Sequence, residues 1–410
     1  MKKRSVCIVT LVCLLILPGT MIYSDAKAAE TLHLGAVLPF QARIGIQMKN
    51  IYLMNADLIN KQGGLTIGGK RYVIEYHIYD GKYDTDTSRA AVERLVSQDK
   101  VKFIVSTFSA GTFAALPITE PNKTPLFSQA VSEKILDPKI KYHVCTFAAK
   151  FCNGLVKAFT ENRPEFKKIQ ILTLDNEIGH ALAPVIEKIY KFFGMTTSPT
   201  LFFKYGETDL SRIAVKVVSE KPDLFYGLAI SNDAALLQLV KALKDAGYKG
   251  PILLEHATQG LMNDIVARVG KKEVEGLLVA SFDPTILPEN IKPREALELR
   301  ENYEKYYGKW ETDAIQFIGG WYTWLATVKK ADSLDPDKVM AAIDRNLEIK
   351  TPEGIAKFFT RPDLGNNRYC DYAKPILTGI VKDGKVEFLF RKDADYMISA
   401  TEQVYGVKMR

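Results

Sequence analysis

Cysteine is scarce in this 410-residue chain, five in all. No two of them have the C-x-x-C spacing that redox and metal sites use. Histidine is as rare, also five. No two histidines form an H-x-x-H or H-E-x-x-H pair, so a dedicated zinc site has little support. His33 and His77 lie in strand-like segments and read as packing residues. Beyond the first thirty residues no run of 18 apolar residues occurs, which excludes a membrane-spanning helix. Internal repeats, low-complexity tracts and long flexible linkers are absent as well. Basic residues are dispersed rather than gathered with aromatics on one face, and nothing resembles a helix-turn-helix, so nucleic-acid binding is excluded.

What is present is a globular composition, 47% apolar and 25% charged. The length exceeds what one hydrophobic core usually serves, so two domains are expected. The amino terminus carries Lys2, Lys3 and Arg4, then an apolar run from Val6 to Leu17, then Ala26-Lys27-Ala28. A basic head, a short apolar core and a small-x-small site describe a secretory signal peptide over residues 1–28, cleaved near Ala28. Thr10-Leu11-Val12-Cys13 lacks the small residues expected before a lipidated cysteine. Removing the leader takes four basic residues and one acid from 55 and 48, which leaves 51 against 47 and a net charge of +4. Cys145, Cys152 and Cys370 remain, an odd number that allows at most one internal bridge. The sequence is thus read as exported, soluble and roughly neutral.

Strands and helices alternate along most of the chain. Strands are expected at 31–38, 71–79, 102–106, 125–127, 142–146, 168–174, 198–203, 223–230, 251–254 and 275–281. Helices are expected between them, from 44–58 to 259–268. This beat implies parallel sheets covered on both faces, the doubly wound α/β class, and so many units must divide between two sheets. After Pro284 come helices near 293–307, 313–330 and 335–345, then a strand-rich tail in which Lys382-Asp383-Gly384-Lys385 reads as a hairpin turn.

Open α/β sheets bind ligands beyond the carboxyl ends of their strands. The loops to search are therefore 40–46, 80–86, 107–112, 128–132, 147–151, 175–180, 231–233 (with Asn232) and 255–259. The richest is Ser106-Thr107-Phe108-Ser109-Ala110-Gly111-Thr112, a strand-to-helix junction with several hydroxyls. A helix start of this kind favours an anion through oriented N–H donors and the dipole. Ordinary capping by Ser109 would also account for it. Glu255-His256 sits at a strand end, where the acid can be solvated or can meet an ammonium group. Two decoys need weighing. Gly64 to Lys70 has phosphate-loop spacing, but Arg71 stands where Ser or Thr must hold Mg²⁺, and the segment leads from helix to strand; it reads as a turn. Phe108-Ser109-Ala110-Gly111 has part of a nucleophile elbow, with Thr107 in place of the first Gly. A serine hydrolase using Ser109 with His256 as base is the alternative reading from another class.

Taken in order, several segments carry a family resemblance: Leu34-Gly35-Ala36-Val37-Leu38-Pro39, Asn60-Lys61-Gln62-Gly63-Gly64-Leu65, Gly69 to Glu75, and Val101 to Val105. They continue with Thr124-Pro125-Leu126-Phe127-Ser128, Lys221-Pro222-Asp223, Ala242 to Gly247, Glu275 to Val279 and Tyr303 to Gly308. The chain resembles the branched-chain-amino-acid (leucine-binding) type of periplasmic solute-binding protein of ABC transporters, class I. The resemblance implies two α/β lobes joined by three crossings, lobe 1 from 30–147 and 282–348, lobe 2 from 148–281 and 349–410. It implies a monomer without cofactor, metal or catalytic step, closing on a small carboxylate-bearing ligand. The partner it implies is an inner-membrane permease and ATPase, or, as a further alternative, a membrane sensor. By position, Ser109 is similar to the residue that holds the ligand carboxylate, and Ala130 to one giving a main-chain contact. Ser132 stands where a Thr commonly bonds the ligand, and Glu255, with His256 as the neighbouring alternative, matches the acid that receives the ammonium group. Two features depart from the family. Ile178 replaces a usual Tyr of the pocket wall, and the first loop offers Phe40, which could pack on an apolar or aromatic ligand. The same loop offers Arg43, which could pair with an acidic group or remain a solvated loop residue.

Overall fold

The computed structural model describes residues 29–130, 132–147, 151–204, 206–228, 230, 233–255, 259–280, 283–311 and 313–409. The leader read over 1–28 lies outside the described residues. The first sheet and its helices comprise β1 (Glu30–Leu38), α1 (Arg43–Lys61), β2 (Leu65–Ile67), β3 (Lys70–Asp80), α2 (Thr85–Ser97), β4 (Phe103–Ser106), α3 (Ser109–Thr119), β5 (Leu126–Ser128) and β6 (His143–Cys145). The chain then runs through α4 (Phe151–Asn162), β7 (Lys168–Leu174), α5 (Glu177–Phe192), β8 (Thr196–Thr197), β9 (Leu201–Phe203) and α6 (Ser211–Glu220). It continues with β10 (Leu224–Gly227), α7 (Asp233–Asp245), β11 (Ile252–Glu255), α8 (Gln259–Val269), α9 (Lys271–Val274) and β12 (Leu278–Ala280). The last part holds α10 (Arg294–Tyr307), α11 (Gly319–Ala331), α12 (Pro336–Ala341), β13 (Glu348–Thr351), β14 (Gly354–Arg361), β15 (Asn366–Ala373), β16 (Ile376–Lys382), β17 (Lys385–Lys392) and α13 (Ala394–Tyr405).

These elements form two α/β lobes. The first is a six-stranded sheet in the order β2-β3-β1-β4-β5-β6, parallel except for the β2–β3 hairpin. The second is an eight-stranded sheet, β17-β16-β12-β11-β10-β7-β8, with β9 also on β7 and with β16 and β17 antiparallel. Alternation along β1 explains how both faces of the first sheet are covered. Leu32, Leu34, Ala36 and Leu38 enter a core with α1, α10 and α11, while Val37 enters a smaller one under α2 and α3. In the second lobe α6, α7 and α8 cover one face and α4, α5 and α13 the other.

Several local expectations change. The segment around Gly64 to Lys70 is a hairpin whose turn is Gly68-Gly69, so β2 exists where the sequence suggests a bare turn. The helix expected from 313 begins at Gly319 instead. A Cβ at Gly319 would lie 2.6 Å from the Thr146 carbonyl oxygen, and one at Gly320 2.2 Å from that of Val105. The helix start therefore rests directly on strand-end backbone. The turn at Asp383-Gly384 has both residues at positive φ, 46° and 75°, as a two-residue hairpin needs. Helix α13 is not among the expected elements, although Asp393 caps it by accepting from the Tyr396 amide at 2.8 Å and Gly406 ends it at φ 67°. Cys145, Cys152 and Cys370 are buried thiols. Among the described residues no helix is long and apolar enough to cross a membrane.

The small sheet β13-β14-β15 stands between the lobes. Residues 349–373, expected with the second lobe, give Ile349, Ala356, Phe358, Cys370 and Tyr372 to the first core but Phe359 and Ala373 to the second. Its organising contact is Arg361, whose side chain is fully buried. The guanidinium donates to Asp371 at 2.9 Å, to Asp363 at 2.6 and 2.9 Å, and to Glu133 at 2.7 Å. It also lies 5.3 Å from the ring centre of Tyr405, on α13. One cation thus joins a first-lobe loop, the linking sheet and the second lobe's last helix. Nearby, buried Lys374 donates to Glu353 at 2.5 Å and to the Gln316 carbonyl at 3.2 Å.

Replacing Arg361 with Met would leave the Asp371 carboxylate buried without its cation, at a cost of about 3–5 kcal/mol; urea unfolding of the two proteins checks this. A second expectation concerns acid. Burial, helped by the Arg368 charge, lowers the His143 pKa from 6.5 to about 3. Above pH 6.5 the imidazole is neutral folded or unfolded and contributes nothing. As pH falls from about 6.5 toward about 3, only the unfolded chain takes up the proton, so stability declines. A His143→Gln variant should show a shallower loss over that window in chemical denaturation at stepped pH.

Candidate functional site

In the first sheet the direction of build-up reverses between β1 and β4, the place where open sheets leave a crevice for ligand. Phe40 follows β1, Ser109 follows β4, and Ala130 and Ser132 follow β5, so four of the sequence candidates gather at three adjacent strand ends. Ser109 is the first residue of α3, and the N-cap is Phe108, which makes no side-chain cap bond. The residue at the capping position is therefore Phe108 rather than Ser109. The first turn of α3 contains no acidic residue. Its amides and dipole thus present positive potential at the crevice, with a half-buried hydroxyl beside them.

A row of aromatic rings flanks this helix start. Phe108 lies 5.6 Å from both Tyr83 and Phe317, and Phe317 stacks on Phe147 at 5.3 Å. Tyr83 is 48% exposed, and both it and Lys82 have left-handed backbone, with φ of 50° and 52°. Left-handed backbone at two successive non-glycine residues is costly and tends to be kept near ligand sites. The sequence shows only that the usual ring of the family's pocket wall is replaced by Ile178, and it does not assign these aromatics to the site. Positions 83, 108 and 147 fall in the strand-end loops of the search, whereas 317 lies between two helices and carries no such signal.

Beneath the crevice a polar ladder fixes the strand ends. Ser106 donates to the Gln129 side-chain carbonyl at 2.5 Å, Gln129 donates to Thr146 at 2.9 Å, and Thr146 donates to the Ser128 carbonyl at 2.9 Å. Ala130 is wholly buried, its amide 3.4 Å from the Ser128 hydroxyl and its carbonyl accepting from the Cys145 thiol at 3.2 Å. The Ser132 hydroxyl caps the short turn Glu133–Leu136 by accepting from the Lys134 amide at 3.4 Å. Arg43 pairs with Asp313 at 3.1 Å, which answers its charge from within the chain, and Gln47 donates to the same carboxylate at 2.5 Å. The Phe40 amide donates to Asp80 at 3.1 Å, and Lys49 sits 5.2 Å over the Phe40 ring. Ser128 and His143 form a hydroxyl–imidazole pair at 2.8 Å, but they are 0% and 2% exposed, out of reach of a substrate.

In the second lobe Glu255 ends β11 and is 1% exposed. It accepts from the Tyr226 hydroxyl. Tyr226 pairs with Leu253, two positions before Glu255, so both side chains leave the same face of the sheet. Burial, and then the nearby Cys152 and Glu255, push the Tyr226 pKa well above 10, which keeps the hydroxyl a donor. Tyr226 cannot be singled out from sequence because one tyrosine inside a strand reads as core. Here the build-up reverses between β7 and β10. His180, after β7, shares a hydrogen bond with Asp175 at 2.7 Å and stacks on Phe202 at 4.4 Å. Asn232 and His256 lie outside the described residues.

Comparison with known proteins agrees with this architecture. The sequence model of a family described as periplasmic binding protein matches residues 34–370. Among solved structures, a leucine binding protein from Thermotoga maritima is 19% identical, with a TM-score of 0.69 over 89% of this chain and 99% of that one. A solute-binding protein of an ABC transporter from Rhodopseudomonas palustris, in complex with 4-hydroxybenzoate, is 17% identical, with a TM-score of 0.70 over 89% and 98%. A branched-chain amino acid transporter substrate-binding protein from Streptococcus pneumoniae, in complex with isoleucine, is 16% identical, with a TM-score of 0.68 over 89% and 100%. With its two lobes, its paired strand-end crevices and a match over most of its length, the chain belongs to the periplasmic binding protein family.

Proposed function

We propose that this chain is the exported receptor of an ABC importer, capturing a small carboxylate-bearing metabolite between its lobes and delivering it to a membrane permease without a catalytic step. The observation that carries this reading is the start of α3. An acid-free helix terminus with Ser109 at its first position suits a carboxylate. The rings of Tyr83, Phe108 and Phe317 beside it suit an apolar or aromatic body attached to that carboxylate. In the other lobe, Glu255 with its Tyr226 donor supplies a group able to receive an ammonium, which would extend the ligand class to amino acids. The aromatic acid and the amino acid bound by the two relatives named above span the same range. Ligand touching both lobes would stabilise the closed arrangement by its differential contacts. The Arg361 and Lys374 clusters lie where the chain passes between lobes, and they would serve as the fixed end of that movement.

A thermal-shift screen of the mature protein against leucine, isoleucine, benzoate and 4-hydroxybenzoate should find at least one stabilising ligand, with ester hydrolysis followed in parallel. If none stabilises and an esterase activity disappears in Ser109→Ala, the receptor reading fails. For the ligand found, Ser109→Ala should weaken binding about tenfold, the scale of one hydrogen bond at about 1.4 kcal/mol.

Glu255→Gln should weaken amine-bearing ligands by about ten- to a hundredfold, since a charge-assisted hydrogen bond is worth about 1.5–3 kcal/mol, while sparing simple acids. Calorimetric titration with one ligand of each kind decides this, and an equal effect on both removes Glu255 from ammonium recognition.

A further inference from the structure

We infer a divalent transition-metal site on the first lobe, formed by His33, Glu75 and His77. Strand register brings the three together. Glu75 and His77 are two apart on β3, hence on one face, and His33 on β1 is the direct register partner of Glu75. No search for spaced motifs within one segment could find this set, because one of its members lies on another strand. The imidazoles read as packing residues in the sequence, yet their side chains are 34% and 19% exposed, and that of Glu75 is 57% exposed. An ion could therefore enter from solvent.

The three donor groups have the spacing of a coordination sphere. His33 Nδ1 and His77 Nε2 are 3.0 Å apart. One oxygen of Glu75 lies 3.6 Å from the first nitrogen, and the other oxygen lies 3.6 Å from the second. Tetrahedral ligands at about 2.0–2.1 Å from zinc stand about 3.3 Å from one another. The observed triangle brackets that value. At 3.6 Å the carboxylate is too far to be a hydrogen-bond partner of either ring. It is instead disposed evenly about a point between all three groups.

The surroundings support the same assignment. His77 turns Nε2 toward the triangle and Nδ1 toward Asp99, whose carboxylate is 3.8 Å away. Asp99 is itself held by the Tyr79 hydroxyl at 2.8 Å. At 3.8 Å that carboxylate is beyond hydrogen-bond reach of the ring, but its negative charge nearby favours a bound cation. Two imidazoles and one carboxylate leave a fourth position for water, and this donor set suits Zn²⁺ rather than Ca²⁺ or Mg²⁺. His33 precedes Leu38, the carboxyl end of β1, by about 16 Å of strand, so the site is separate from the crevice. A bound ion would pin β1 to β3 at that far end.

The test uses the mature chain without a polyhistidine tag, stripped with chelator and titrated with Zn²⁺ alone and with Co²⁺ as a spectroscopic probe. One equivalent should bind, with Zn²⁺ raising the melting temperature and Co²⁺ giving the intense visible bands of a tetrahedral site. His33→Ala and His77→Ala should each lower affinity at least about a hundredfold. Circular dichroism confirms that each variant is folded, and His77→Gln supplies a milder replacement where the alanine variant is not. Affinity for the organic ligand should be unchanged in the His33 and His77 variants, so this site and the crevice succeed or fail separately. Absence of stoichiometric metal binding, or binding unchanged in the His33→Ala/His77→Ala double variant, overturns the assignment.

Discussion

The sheet that links the two α/β lobes is organised about one buried guanidinium. Arg361 sits at the end of β14 with its side chain excluded from water, and a charge there is tolerable only because Asp371, Asp363 and Glu133 surround it. Those acids belong to different parts of the fold, and the Tyr405 ring covers the cation from the second lobe. A planar donor with five N–H groups can satisfy several carboxylates at fixed angles, which a lysine cannot. The constraint is therefore geometric as well as electrostatic. Where the linking sheet lies is set by where the partners of this single group lie.

With that sheet anchored, each lobe carries its own strand-end crevice. The first lobe offers oriented amides, hydroxyls and rings; the second offers a buried carboxylate with a donor behind it. Neither set is built from one contiguous segment. Phe108 and Phe317 are in contact although they lie in distant parts of the sequence, and Glu255 depends on a tyrosine one strand away. The Ser106–Gln129–Thr146 ladder shows how the first crevice is held firm: buried polar groups satisfy one another across β4, β5 and β6, so the strand ends share one geometry.

Periodicity alone makes most of the architecture legible. The alternation of apolar runs and helical patterns from 31 to 281 predicts nearly every parallel strand and its following helix, because buried parallel strands carry little besides apolar residues. Extents differ most at three strands: that expected at 223–230 is Leu224–Gly227, that at 275–281 is Leu278–Ala280, and that at 198–203 is Leu201–Phe203. Ser109 and Glu255 are visible for a related reason: a polar residue at the end of an apolar run is one that packing does not require. Whatever depends on register between strands, or on contacts between distant loops, cannot be read in this way. Tyr226, the Phe108–Phe317 contact and the triangle of His33, Glu75 and His77 are all of this kind. Arg43 misleads for the converse reason: its partner Asp313 is 270 residues away, and a loop arginine seen alone looks available.

The interleaving of the chain also governs the order in which it can fold. The core around β1 and α1 is completed by Trp321, Trp324 and Val328, and that around α4 by Met397 and Val404. Neither lobe can close until almost the whole polypeptide has been made, and contacts so far apart in sequence form slowly. A nascent chain of this design lacks part of each core through most of its synthesis, so the native packing of both lobes must wait for the carboxyl-terminal third of the polypeptide.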